Sequence, residues 1–102
     1  MLTAVFVAAL LQSAAINIQR DAYIACLKQA AQTATSQKML PDAFEAFARL
    51  NCTTVESSFK GALVAFDLKN KVPRKQAASD AQVQADDFVI SIADRYKATA
   101  PK

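Results

Sequence analysis

The chain predicts an all-α fold: a three-helix antiparallel bundle with one disulfide, preceded by a signal-peptide helix. Three observations lead there. Glycine occurs once, at Gly61, and proline only at Pro41, Pro73 and Pro101, while alanine is abundant. That composition suits helices with few connections better than a turn-rich β-sandwich. Apolar residues recur at helical spacing through three long segments. Finally, the first nineteen residues carry no charged side chain, and Arg20 is the first charge met.

The charge-free start reads as a secretory leader. Apolar residues dominate from Leu2 to Leu11, and Ser13-Ala14-Ala15 then puts small residues at the −3 and −1 positions of a cleavage site. An apolar run of about ten residues ending in small residues has the form of a signal peptide, although the usual basic n-region is missing. The alternatives are a first helix of the domain or a membrane anchor; an anchor needs roughly 18 or more apolar residues, and Gln12, Ser13, Asn17 and Gln19 interrupt this run. The expected organisation is a leader over residues 1–15 and one helical domain over 16–102, destined for the periplasm or secretion. A domain of this size buries only roughly 60–65 % of its unfolded surface, so a covalent staple helps it.

The first helix is expected over about 18–35, where Tyr23, Leu27, Ala30 and Ala34 share a face with Cys26 beside them. Residues 36–40 connect it to a second helix over about 42–71. Asp42 and Glu45 have capping-box spacing at its start. Glu45, Glu56 and Asp67 stand eleven residues apart, and so do Arg49, Lys60 and Lys71, each acid four residues before its base. That is the favoured orientation for helix ion pairs, and a step of almost three turns stacks them in one solvent stripe. Phe44, Val55 and Phe66 repeat at the same spacing on an adjacent face, with Ala48, Cys52, Phe59 and Ala62 between them. One continuous helix explains both stripes. The third helix is expected over about 74–97, from Ala77, Ala81, Ala85, Phe88, Ile92 and Tyr96 at helical spacing. Pro73 suits its start; Ser79-Asp80-Ala81-Gln82 offers a competing start with its own capping box.

An exported chain with two cysteines reads as one disulfide. Cys26 lies about nine residues before the first connection and Cys52 about ten after it, so at 1.5 Å rise both stand roughly 15 Å from the closed end of an antiparallel pair. They are level, as a bridge requires. The spacing is not that of a redox-active C-x-x-C pair.

Little else points to chemistry. The chain has no histidine, which removes the commonest general base and metal ligand. A single glycine leaves no Gly-rich phosphate loop. Adjacent Asp86 and Asp87 cannot face each other on a helix and read as a solvated face, as do Asp94, Arg95 and Lys97. No catalytic residues, metal site or cofactor are expected, and the mild net charge of +3 lacks the dense patch of a nucleic-acid binder. One cluster stands out: Lys69, Lys71, Arg74 and Lys75 around Pro73. The macrodipole favours the first two at a helix C-terminus but not Arg74 and Lys75 at the next N-terminus. They are candidates for contact with an anionic partner. Phe47, Phe88 and Tyr96 are candidate lining for an apolar groove, against the simpler reading that they belong to the core.

The layout resembles short exported helical proteins of Gram-negative bacteria without assigned function. The resemblance rests on the leader, Ala-Cys-Leu-Lys in the first helix, Asp-Ala-Phe-Glu-Ala-Phe opening the second, and Ala-Leu-Val-Ala-Phe-Asp-Leu-Lys-Asn near its end. It implies no catalytic residues. Size, compartment and cysteine count are also similar to those of periplasmic acid-stress chaperones. The favoured expectation is an exported, non-catalytic binding or interaction module of the bacterial cell envelope, with an envelope protein or an anionic surface as partner. A periplasmic stress chaperone, or an inhibitor or immunity-type partner of a secreted enzyme, are the alternatives.

Overall fold

The computed structural model describes the backbone of residues 2–100 and the side chains of residues 14–100. It is all-helical, with α1 over Leu2–Ser36, α2 over Pro41–Asn51, α3 over Thr53–Lys69 and α4 over Arg74–Thr99. Two short turns reverse the chain. As a result α2 and α3, laid end to end, form a middle rod that packs antiparallel to both α1 and α4. No helix among the described residues is long and apolar enough to cross a membrane. The expected leader falls largely on residues whose side chains lie outside the description. The backbone of α1 runs through the expected cleavage point without a break.

The bundle has four helices, not three, because the second rod breaks at Cys52. That residue has φ −116° and ψ 19°, and it serves as both the C-cap of α2 and the N-cap of α3. Its neighbours explain the break. Asn51, Thr53 and Thr54 are weak helix formers whose side chains compete for backbone groups. The Asn51 amide donates to the Phe47 carbonyl at 2.8 Å. The Thr53 hydroxyl reaches back to the carbonyls of Arg49 and Leu50 at 3.0 and 3.1 Å.

α1 starts at Leu2 and not near residue 18, so the expected leader and first helix form one continuous helix; the other boundaries fall close to expectation, with physical differences at the ends. The N-cap of α2 is Leu40, with Pro41 in the first turn and no side-chain cap, so Asp42 and Glu45 do not form the expected capping box. Asp42 instead sits within the first turn, where its charge suits the helix dipole. The last turn of α3 ends at Lys69, because the Asn70 amide bonds to the Phe66 carbonyl at 2.9 Å and Lys71 turns left-handed, at φ 63°. Lys71 is therefore off the helix, and the expected Asp67–Lys71 pair is not among the ion pairs of the described residues. Between the two candidate starts of the last helix, the structure takes Arg74, with Pro73 as N-cap.

Both turns close alike. Met39 N–H bonds to Ala34 O at 2.9 Å, and Val72 N–H to Asp67 O at 3.0 Å, each reaching five residues back. Each turn has a left-handed lysine before it, Lys38 at φ 55° and Lys71 at φ 63°. These are Schellman closures with lysine where glycine is usual.

The core lies along the middle rod. Tyr23 and Leu27 of α1, Phe44, Ala48 and Cys52 of the rod's first half, Phe59 of α3 and Ala81, Ala85 and Val89 of α4 are all at most 1 % exposed. The rings of Tyr23, Phe59 and Phe88 meet with centroids 5.8–6.4 Å apart, and Phe44 stacks on Tyr96 at 4.4 Å. The Tyr96 hydroxyl donates to the Met39 carbonyl, which ties the first turn to α4. Ala77, Ala81 and Ala85, spaced four apart, form a small-residue seam where α4 comes close to its neighbour. Leu63 and Val89 are core residues beyond the expected set.

Candidate functional site

Cys26 and Cys52 form the expected disulfide, with Cα atoms 5.9 Å apart. The bridge joins the middle of α1 to the α2–α3 junction. Cys52 is 1 % exposed and faces the core, while Cys26 is half-buried beside Phe47 and Asn51.

A polar network spans the rod and α4. Glu45 and Arg49 pair at 3.2 Å, and Glu56 and Lys60 at 3.2 Å, as the eleven-residue spacing predicts. The stripe does not simply face solvent, however. Arg49 Nη1 also donates to Asp86 Oδ1 at 2.9 Å, Lys60 Nζ donates to Gln82 Oε1 at 2.9 Å, and Gln82 Nε2 donates to Asp86 Oδ1 at 2.9 Å. Asp86 is thus an inter-helix anchor and not part of a purely solvated face. Asp87 remains exposed. The hydrogen bond from Arg49 holds the Asp86 carboxyl below the usual carboxylate range, against the opposing pull of desolvation.

Tyr23 sits beneath this network. It is fully buried, and its hydroxyl donates to the Ala85 carbonyl at 3.3 Å. Burial pushes its pKa up to about 12, and the nearby negative charge of Glu56 adds to that. The arrangement holds helices together. It presents no nucleophile beside a base. Among the described residues no three of His, Cys, Asp and Glu gather where a metal ion could sit.

Lys69, Lys71, Arg74 and Lys75 all lie at the α3–α4 turn, two on either side of Val72-Pro73, and all four are exposed. None is in an ion pair among the described residues. Lys69 lies in the last turn of α3, where the dipole favours it, while Arg74 and Lys75 open α4, where it opposes them.

The three aromatics considered for a groove do not share one. Phe47 lies beside Cys26 and Asn51, in a small depression between α1 and α2. Phe88 and Tyr96 face the space between α1 and α4. The small-residue face of α3 is bare: Ser57, Ser58 and Gly61 are exposed, and a side chain built at Gly61 meets nothing within 4 Å. Sequence reasoning missed the role of Gln82 and the second partners of Arg49 and Lys60. A polar residue four positions before Asp86, on the helix that also carries the alanine seam, was the available signal.

Compared with models of protein families, with curated proteins and with solved structures, the chain finds no match.

Proposed function

We propose that the chain is an exported, non-catalytic binding module of the bacterial cell envelope that contacts an anionic partner through its α3–α4 turn. The observation that carries this reading is the turn itself. Four exposed cations converge on seven residues, and two of them stand where the helix dipole disfavours positive charge. A purely structural turn gains nothing from that placement, whereas an anionic surface is attracted to it. Export is supported by the charge-free first nineteen residues, the Ser13-Ala14-Ala15 site and the disulfide.

The test is co-sedimentation with vesicles of phosphatidylglycerol mixed into phosphatidylcholine, at two salt concentrations. Wild-type protein should bind, more weakly at high salt. Arg74→Gln with Lys75→Gln should bind several-fold more weakly while keeping its melting temperature, since surface changes stay within about 0.5 kcal/mol. Absent binding, or binding unchanged in the variant, would remove the turn as a contact. Intact mass of protein recovered from the periplasm checks export: it should lack residues 1–15.

A further inference from the structure

The three rods do not pack equally. The middle rod meets both α1 and α4 along its length, but α1 and α4 touch each other much less. They run side by side in the same direction, and the gap between their C-terminal halves is an open groove. It consists of a larger, mostly apolar depression of about 580 Å³ and a smaller one of about 260 Å³. The larger volume falls within the range of small-molecule sites.

The lining has a polarity. Ala31, Ile92 and the ring of Tyr96 supply the apolar lining of the larger depression, and Gln32, Thr35, Ser36 and Thr99 add hydroxyl and amide groups to it. The Tyr96 hydroxyl is already turned to the Met39 carbonyl, so the ring contributes apolar surface. Lys28, Ile92 and Arg95 line both depressions, and so stand where the two meet, with Ser91 beside them in the smaller one. No acidic residue lines either depression, and neither cation is in an ion pair among the described residues. A largely apolar trough in which two unmatched cations stand where its two depressions meet complements a hydrocarbon chain that carries a single anionic head. Arginine in particular matches a carboxylate through two parallel N–H···O bonds.

We propose that the α1–α4 groove binds a single-chain fatty acid, its hydrocarbon laid over Ala31, Ile92 and Tyr96 and its carboxylate held between Lys28 and Arg95. One groove of this size takes one chain. The site is separate from the basic turn: Arg74 and Arg95 are about 30 Å apart along α4 at 1.5 Å rise per residue.

The test is calorimetric titration of the full chain with dodecanoate below its micellar concentration. The expected result is one dodecanoate per chain. Lys28→Gln with Arg95→Gln should weaken it at least tenfold without changing the melting temperature, because both side chains are exposed. Dodecyltrimethylammonium, with the same chain and the opposite head charge, should bind wild-type protein at least tenfold more weakly than dodecanoate. Ile92→Gln should also weaken dodecanoate; if that variant does not fold, the double charge variant still decides. Arg74→Gln with Lys75→Gln should bind dodecanoate as wild type does, which separates this site from the vesicle contact. Equal binding of the two head groups, or undiminished binding by the double charge variant, overturns the proposal. So does lysophosphatidylglycerol binding where dodecanoate does not, or light scattering that finds a dimer which Ile92→Gln dissociates.

Discussion

Reducing the Cys26–Cys52 bridge should destabilise the protein far more than any surface change. The bridge spans 26 residues. For a loop of that length the chain-entropy model assigns about 3.5 kcal/mol, through the freedom denied to the unfolded chain. Domains of this size shift by roughly 4–8 °C per kcal/mol, so the melting temperature should fall by about 14–28 °C. Reduction leaves both sulfurs in place and so isolates the cross-link from packing. Cys26→Ala with Cys52→Ala should cost slightly more, because Cys52 is 1 % exposed and truncating it opens a small void.

The loss should not be spread evenly. The bridge fastens the junction where α2 meets α3, and there the backbone is already irregular, with Cys52 at φ −116°. α3 keeps its own attachment through the Tyr23, Phe59 and Phe88 rings. α2 has only 11 residues, too few to hold a helix alone, and depends on Phe44 and Ala48 against its neighbours. Amide exchange in the reduced protein should therefore quicken first in α2. The assay is circular dichroism melting with and without a phosphine reductant, checked by urea unfolding and residue-resolved exchange. Oxidised and reduced forms that melt within about 3 °C of each other would refute the entropic argument. Uniform acceleration of exchange would refute its localisation.

Gly61→Ala should stabilise the protein by about 0.5–1 kcal/mol, read by urea titration, because the glycine sits inside α3 with open space around it and alanine has the higher helix propensity. Asp86→Asn should cost about 1 kcal/mol at neutral pH by weakening the link to Arg49, a modest figure for a side chain one-third exposed. A carboxyl held low in the folded state contributes stability above its unfolded pKa and loses it as pH falls through the folded value, so wild type and variant should converge in acid when melted across pH. Tyr23, raised to about 12 by burial, contributes stability that is present below the ordinary tyrosine pKa of about 10 and is lost as pH rises through about 12. In a Tyr96→Phe background, phenolate absorbance should therefore appear together with alkaline unfolding, and separate titration of a folded protein would contradict it.

Most of the architecture was readable from spacing. The apolar face of α1, the alanine seam and its aromatic continuation in α4, and the level placement of Cys26 and Cys52 all follow from a period of 3.6 residues and short connections. The break at Cys52 is not legible there, because the eleven-residue repeats of charge and of the apolar residues Phe44, Val55 and Phe66 pass straight across it. Those repeats report which face a residue takes, and a kink that preserves the faces leaves them intact. The local signal lay in Asn51-Cys52-Thr53-Thr54, four consecutive weak helix formers. Similarly, a pattern of acid and base four apart cannot tell whether the pair ends at the helix surface or reaches a neighbour. Only the position of α4 decides that Arg49 and Lys60 do both.

That double use has a consequence for how the bundle holds its register. The alanine seam of α4 brings backbones close but offers little shape to stop one helix sliding past another, since a small side chain looks much the same one turn away. Polar contacts discriminate where alanine does not. Arg49 and Lys60 lie on opposite sides of the kink, and they meet Asp86 and Gln82, which are one turn apart on α4 and bonded to each other. A slip by one turn would separate both pairs at once and leave Asp86 without its cation. The disulfide fixes the same junction from the α1 side. The irregular point of the middle rod is thus held from two directions, covalently by α1 and by charge-assisted hydrogen bonds from α4. This explains how a chain whose seam is mostly alanine can still specify a single packing arrangement.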